Sequence, residues 1–158
     1  HLLCAQEAEA CRDTAGVVGR ARSQDMKHWE MVAPLETDRM ARQMECPNIH
    51  FIEGRWYLVF SCYPAMISDE MKQRFPDHSF IPAIYSMVSD NKWGPYKLHG
   101  VGTVQPADAN LHIYAGQLVC WQNQWQIIGF RHESDFRKGE AIADPIPVQA
   151  TPEGIKQI

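Results

Sequence analysis

The sequence has 158 residues, of which 45% are hydrophobic and 22% charged, with a formal net charge of −4. That is one domain's worth of chain, able to bury a core. It lacks the basic run that a nucleic-acid or anionic-membrane partner requires, and no apolar run approaches the roughly 20 residues of a membrane helix.

Residues 2–5 form a short apolar strand, entered in mid-run and without Met, as expected of a piece of something longer. A polar loop over 6–14 leads to a strand at 16–22. A turn through Ser23, Asp25 and Trp29, an extended piece at 30–33 and a polar linker over 34–43 follow. Residues 48–52 and 56–61 are rich in β-branched and aromatic side chains and flank Glu53-Gly54, the pattern of a hairpin with a tight turn. Glu45 stands just before the first of these strands, where a side chain can project from the sheet end into a cleft. A long connection over 63–82, with a helical turn at 68–75, leads to a strand at 83–89, a turn at 90–95 and a strand at 96–100. A polar segment over 103–110 precedes a second hairpin at 116–130.

The two hairpins match in order, turn and tryptophan, and aligning Trp56 with Trp125 sets them 69 residues apart. The segment from Arg20 through Ser23 and Asp25 to Trp29 likewise echoes Tyr85 through Ser89 and Asp90 to Trp93. Four strands per repeat is the makeup of a β-propeller blade; the alternative is a β-sandwich of unrelated hairpins. The predicted fold is therefore all-β, a partial ring of four-stranded antiparallel blades. Residues 1–33 are the end of one blade, 45–100 a complete blade and 111–158 the start of the next. The entry of each first strand and the connection between strands two and three open on one face. Glu45, the 63–82 loop, the 111–114 entry and the 132–144 loop then surround one mouth, where small-molecule sites lie.

A carboxyl group in such a mouth suits general acid–base work. Two carboxylates in one cleft cannot both ionise cheaply, so one keeps a proton to donate. Glycoside cleavage uses such a pair. Otherwise Glu45 is a solvated loop residue before a proline. His112 and Tyr114 at the third blade's inner strand are candidates for hydrogen bonds to a sugar hydroxyl. Phe75, His78 and Phe80 in the long loop are candidates for an outer subsite. Trp56, Trp121 and Trp125 read as blade-core residues. The seven histidines show no metal-ligand spacing, so no metal or cofactor is expected. The five cysteines show no pairing pattern and read as free, mostly buried thiols of a reducing, cytoplasmic compartment.

The run Met44-Glu45-Cys46-Pro47-Asn48-Ile49 resembles the Glu-Cys-Pro motif of glycoside hydrolase family 32, the invertases, levanases and inulinases. Ser23, Asp25 and Trp29 are similar to that family's Ser-x-Asp-Leu-x-x-Trp segment, and Tyr114-Ala115-Gly116-Gln117 to its Tyr-Ala-x-Gln motif. Asp144-Pro145-Ile146-Pro147 resembles the segment that leaves the propeller. The resemblance implies a five-bladed propeller and a retaining glycosidase acting on fructosyl or related bonds, with Glu45 as the general acid/base. It also implies two aspartates that this sequence does not carry in place, the nucleophile and the Asp of an Arg-Asp-Pro motif. Arg12-Asp13-Thr14 follows the strand that the second motif should precede, and His112 replaces a frequent Asp. The rest of a longer chain or a second copy is the expected source of the missing carboxylates and blades, with a carbohydrate as substrate. The other reading is a non-catalytic carbohydrate-binding or structural propeller module.

Overall fold

A computed structural model of the chain describes residues 2–7, 16–106, 111–131 and 141–158. Arg12-Asp13-Thr14 and most of the 132–144 loop lie outside the described residues. The strands are β1 (Leu2–Glu7), β2 (Gly16–Arg22), β3 (Glu30–Val32), β4 (Glu45–Ile52), β5 (Arg55–Cys62), β6 (Ala83–Ser89), β7 (Ile113–Trp121), β8 (Gln124–Arg131), β9 (Ile146–Thr151) and β10 (Gly154–Gln157). They form three antiparallel sheets of sequential neighbours: β1 to β3, β4 to β6, and β7 to β10.

The sheets stack face to face, and β5 shows why. Its alternate residues Leu58, Phe60 and Cys62 enter a core shared with Val18, Leu35, Met40 and Met44 on the first-sheet side. Tyr57 and Val59 enter a second core with Ile113, Leu118, Ile127, Val148 and Ile155 of the third sheet. A strand buried on both faces needs apolar residues at nearly every position, and fully burying each such side chain stabilises the fold by about 2 kcal/mol. Polar bonds then set the register between sheets two and three. Tyr57 Oη donates to the Thr151 carbonyl at 2.9 Å, and the Ile155 N–H donates to Ser86 Oγ at 2.9 Å.

The hairpin repeat holds in detail. Glu53 and Gly54 have φ of 49° and 87°, and Gln122 and Asn123 have φ of 49° and 62°. Such left-handed pairs fit the right-handed twist of the strands they join. Trp56 then pairs with Phe51, and Trp125 with Cys120, the second position after the turn in both sheets.

Several expectations are corrected. The 111–158 segment, expected as only the start of a blade, forms a four-stranded sheet from its described residues; β9 and β10 are short and begin near Pro145 and Pro152, which hid them. The strand expected at 96–100 is reduced to isolated bridges, Tyr96 with Thr37 and Lys97 with Val88. Pro95 has no N–H to give a ladder, and Gly100 and Gly102 turn left-handed. The linker over 34–43 is not a solvated spacer, because Leu35, Met40 and Ala41 are buried in the first core. The helical turn is α1 (Asp69–Arg74), capped by Ser68 Oγ, which accepts the Met71 N–H at 3.2 Å.

The blade-end turns also align differently. Ser23 Oγ accepts the Asp25 N–H and Ser89 Oγ accepts the Asn91 N–H, so Asp25 corresponds to Asn91 and not to Asp90. Trp121 is 63% exposed and is no core residue, whereas Trp56 and Trp125 pack against the two cores. Of the cysteines whose side chains are described, only Cys62 is buried; Cys46 and Cys120 are exposed.

Candidate active site

Glu45 is the first residue of β4 rather than a residue before it, paired in register with Ser61. Between Glu45 and Asn48 the register slips in a bulge. Pro47 has no N–H for the ladder and Cys46 takes a left-handed φ of 49°, so the strand cannot pair regularly there. The bulge turns the Glu45 side chain toward the third sheet.

The same device recurs one blade later. The register of β7 slips between Tyr114 and Gln117, and Ala115 has φ of 51°. Tyr114 thus occupies in the third sheet the place that Glu45 holds in the second. The two side chains meet: Tyr114 Oη donates to Glu45 Oε2 at 2.8 Å. Further bonds hold the two bulges in place. The Ala115 N–H donates to Ser61 Oγ at 2.9 Å. Asn48 Nδ2 donates across the sheets to the Gly116 carbonyl at 3.2 Å and within its own sheet to the Val59 carbonyl at 3.3 Å. His50 Nε2 in turn donates to Asn48 Oδ1 at 2.9 Å.

Titration follows from this packing. Burial, then the bond to the Glu45 carboxylate, pushes the Tyr114 hydroxyl far above the ordinary phenol range, so it stays a donor. Burial, then the Glu45 charge, raises the Cys62 thiol to about 12; partial desolvation of its sulfur, then the same charge, raises Cys46 although that residue is exposed overall. Cys62 Sγ spends its proton on the Gln43 carbonyl at 3.3 Å.

The structure brings Glu45 and Tyr114 together directly. His112 lies half-buried immediately before β7. His78 lies after α1, edge-on to Phe80 at 4.8 Å between ring centroids, with its Nε2 buried and unpartnered. Ser61, Asn48 and Tyr63 were not singled out in the sequence. Tyr63, whose ring centroid is 4.6 Å from that of Tyr114, carried no signal beyond its place after an apolar strand. Among the described residues no group of three or more His, Cys, Asp or Glu could hold a metal ion, and no helix is long and apolar enough to cross a membrane. A groove of about 620 Å³ lies away from Glu45, at the β2–β3 turn, lined by Arg22, Asp25, His28, Trp29 and Glu30.

The stacked, sequentially wound antiparallel sheets are blades of a β-propeller. No protein-family model matches the sequence, and no curated protein does. Solved structures do. The inulosucrase from Halalkalicoccus jeotgali bound to kestose superposes with a TM-score of 0.71 at 20% identity, over 94% of this chain and 42% of that one. The levansucrase of Bacillus subtilis gives 0.66 at 18% identity, over 92% of this chain and 34% of that one. A B. megaterium levansucrase variant gives 0.62 at 16%, with the same coverages. This chain therefore spans about two fifths of the inulosucrase and a third of the levansucrases, and shares their fold over that span.

Proposed function

We propose that this chain is part of a retaining, fructosyl-processing enzyme of the glycoside hydrolase type, with Glu45 as its general acid/base. The observation that carries the reading is Glu45 on the bulge of its Glu-Cys-Pro segment, held by Tyr114 of the next blade at 2.8 Å. The propeller around it is similar in fold to inulosucrase and levansucrases, which transfer fructosyl groups.

In the first step Glu45 gives its proton to the glycosidic oxygen as the anomeric C–O bond breaks, and a carboxylate nucleophile takes the sugar. In the second step Glu45, now ionised, takes a proton from the attacking hydroxyl as its oxygen bonds the anomeric carbon and the sugar–nucleophile bond breaks, freeing the nucleophile carboxylate. Water as attacker gives hydrolysis; a sugar hydroxyl gives transfer. The nucleophile comes from residues outside this sequence, in a longer chain or a second copy. His112 and His78 are the imidazoles offered for sugar contact, and no cofactor is needed.

A second reading, a non-catalytic carbohydrate-binding propeller, is favoured by the 620 Å³ groove at the β2–β3 turn, which lies away from Glu45. The protein carrying this chain is to be incubated with sucrose and with a fructan, and the products resolved by chromatography and anomeric proton NMR. Release or transfer of fructosyl groups with retained configuration supports the enzyme. Binding without any turnover supports the module.

A further inference from the structure

We infer that Tyr114 is the positioning residue of Glu45, with its hydroxyl committed to Glu45 Oε2 rather than to a sugar, so that Oε1 is the oxygen that carries the transferred proton. The inference rests on the proposed acid/base role of Glu45 and deepens it.

A phenol has one proton to donate. The 2.8 Å bond spends it on Oε2, which leaves Tyr114 no donor for a substrate hydroxyl. The ring cannot easily turn away. Tyr114 is only 3% exposed, and its centroid lies 4.6 Å from that of Tyr63 and 5.8 Å from that of Phe130. The backbone beneath it is equally fixed, because the Ala115 N–H is bonded to Ser61 Oγ, and Ser61 is the register partner of Glu45. The acid therefore stands on one blade and its orienting donor on the next. The two positions are the same bulge of the repeat, each followed by a left-handed residue, Cys46 and Ala115. One oxygen of the carboxyl group is anchored, and the other is left to meet the leaving oxygen in a defined direction. Proton transfer is sensitive to such geometry, and a misplacement of about 1 Å costs up to about a hundredfold in rate.

Tyr114→Phe keeps the packed ring and removes only the hydroxyl. In the protein carrying this chain, two readouts are taken on this variant, with Glu45→Gln serving to assign the first by its loss and measured alongside in the second. The first is the carboxyl carbon resonance of Glu45 in labelled protein. The second is turnover on a substrate with a poor leaving group and on an activated aryl fructoside. In Tyr114→Phe the Glu45 resonance should move. The kcat on the poor leaving group should fall about ten- to a hundredfold, with KM within about twofold and the activated substrate much less affected. An unmoved resonance overturns the inference. So does a raised KM on both substrates with kcat intact, which would make Tyr114 a sugar contact. If Glu45→Gln slows turnover and Tyr114→Phe does not, the positioning role falls and the acid/base reading stands. If Glu45→Gln slows neither substrate, both fall.

Discussion

Replacing Asn48 by Ala should loosen the joint between the second and third sheets, and the size of the effect follows from its bonds. The Asn48 amide has two protons, and carbonyls of Cys46, Val59 and Gly116 lie 3.2, 3.3 and 3.2 Å from Nδ2. Its Oδ1 also accepts from His50 at 2.9 Å. Each net hydrogen bond is worth about 1 kcal/mol, and buried groups left unpaired cost more. Losing two donated bonds and one accepted bond should therefore cost about 2–3 kcal/mol. An exposed, solvent-screened pair such as Arg22 with Glu30 contributes little by comparison. Urea unfolding followed by tryptophan fluorescence measures the change as a lowered midpoint at unchanged slope. With slopes of about 1–3 kcal/mol per molar urea, the midpoint should drop by about 1 M. Asn48→Leu, close in volume but without the donors, should be destabilised at least as much. If Leu restores wild-type stability, packing rather than hydrogen bonding holds this joint, and the reasoning fails.

Gly154→Ala should cost about 1–3 kcal/mol, because an added Cβ would lie 2.5 Å from Ser86 Oγ and the residue has φ of 142°; thermal unfolding reads the loss. With its thiol raised to about 12 and buried, Cys62 should stay unlabelled by a thiol reagent at pH 8 until the protein unfolds. Exposed Cys120 should label in the native state, and peptide mapping separates the two. His50 and His78 are both held below the ordinary imidazole value by burial, so the unfolded chain protonates them first. Their contribution to stability is complete above an unfolded value of about 6.5 and is lost as pH falls below it toward the folded values. Urea midpoints should accordingly decline from pH 8 to pH 5, less steeply in His50→Gln; equal slopes would contradict this.

The blades were legible because their signals are local. β-Branched and aromatic runs around a two-residue turn mark a hairpin wherever they occur, and the repeat of Trp56 and Trp125 carried the stacking with it. Glu45 was legible through its neighbours Cys46 and Pro47, but its partner was legible only as a nearby tyrosine. That Tyr114 points at Glu45 depends on two bulges in different sheets falling into register, which no single window of sequence contains. The buried face of 34–43 was hidden for a related reason. Leu35, Met40 and Ala41 are scattered among charged residues without a helical or strand period, and only the neighbouring sheets show that they are covered. The outer strands were misjudged in both directions, since Pro95 stops a ladder while Pro147 sits within β9 at an exposed position.

The measurement that bears most directly on the account is the leaving-group dependence of Glu45→Gln in the protein carrying this chain. Glutamine keeps the shape and a carbonyl to accept from Tyr114, but has no proton to transfer. The account predicts a fall of about 10²- to 10⁴-fold on a substrate with a poor leaving group, and a much smaller fall in the first step on an activated aryl fructoside. Equal, near wild-type rates on both substrates would remove Glu45 from the chemistry and contradict it.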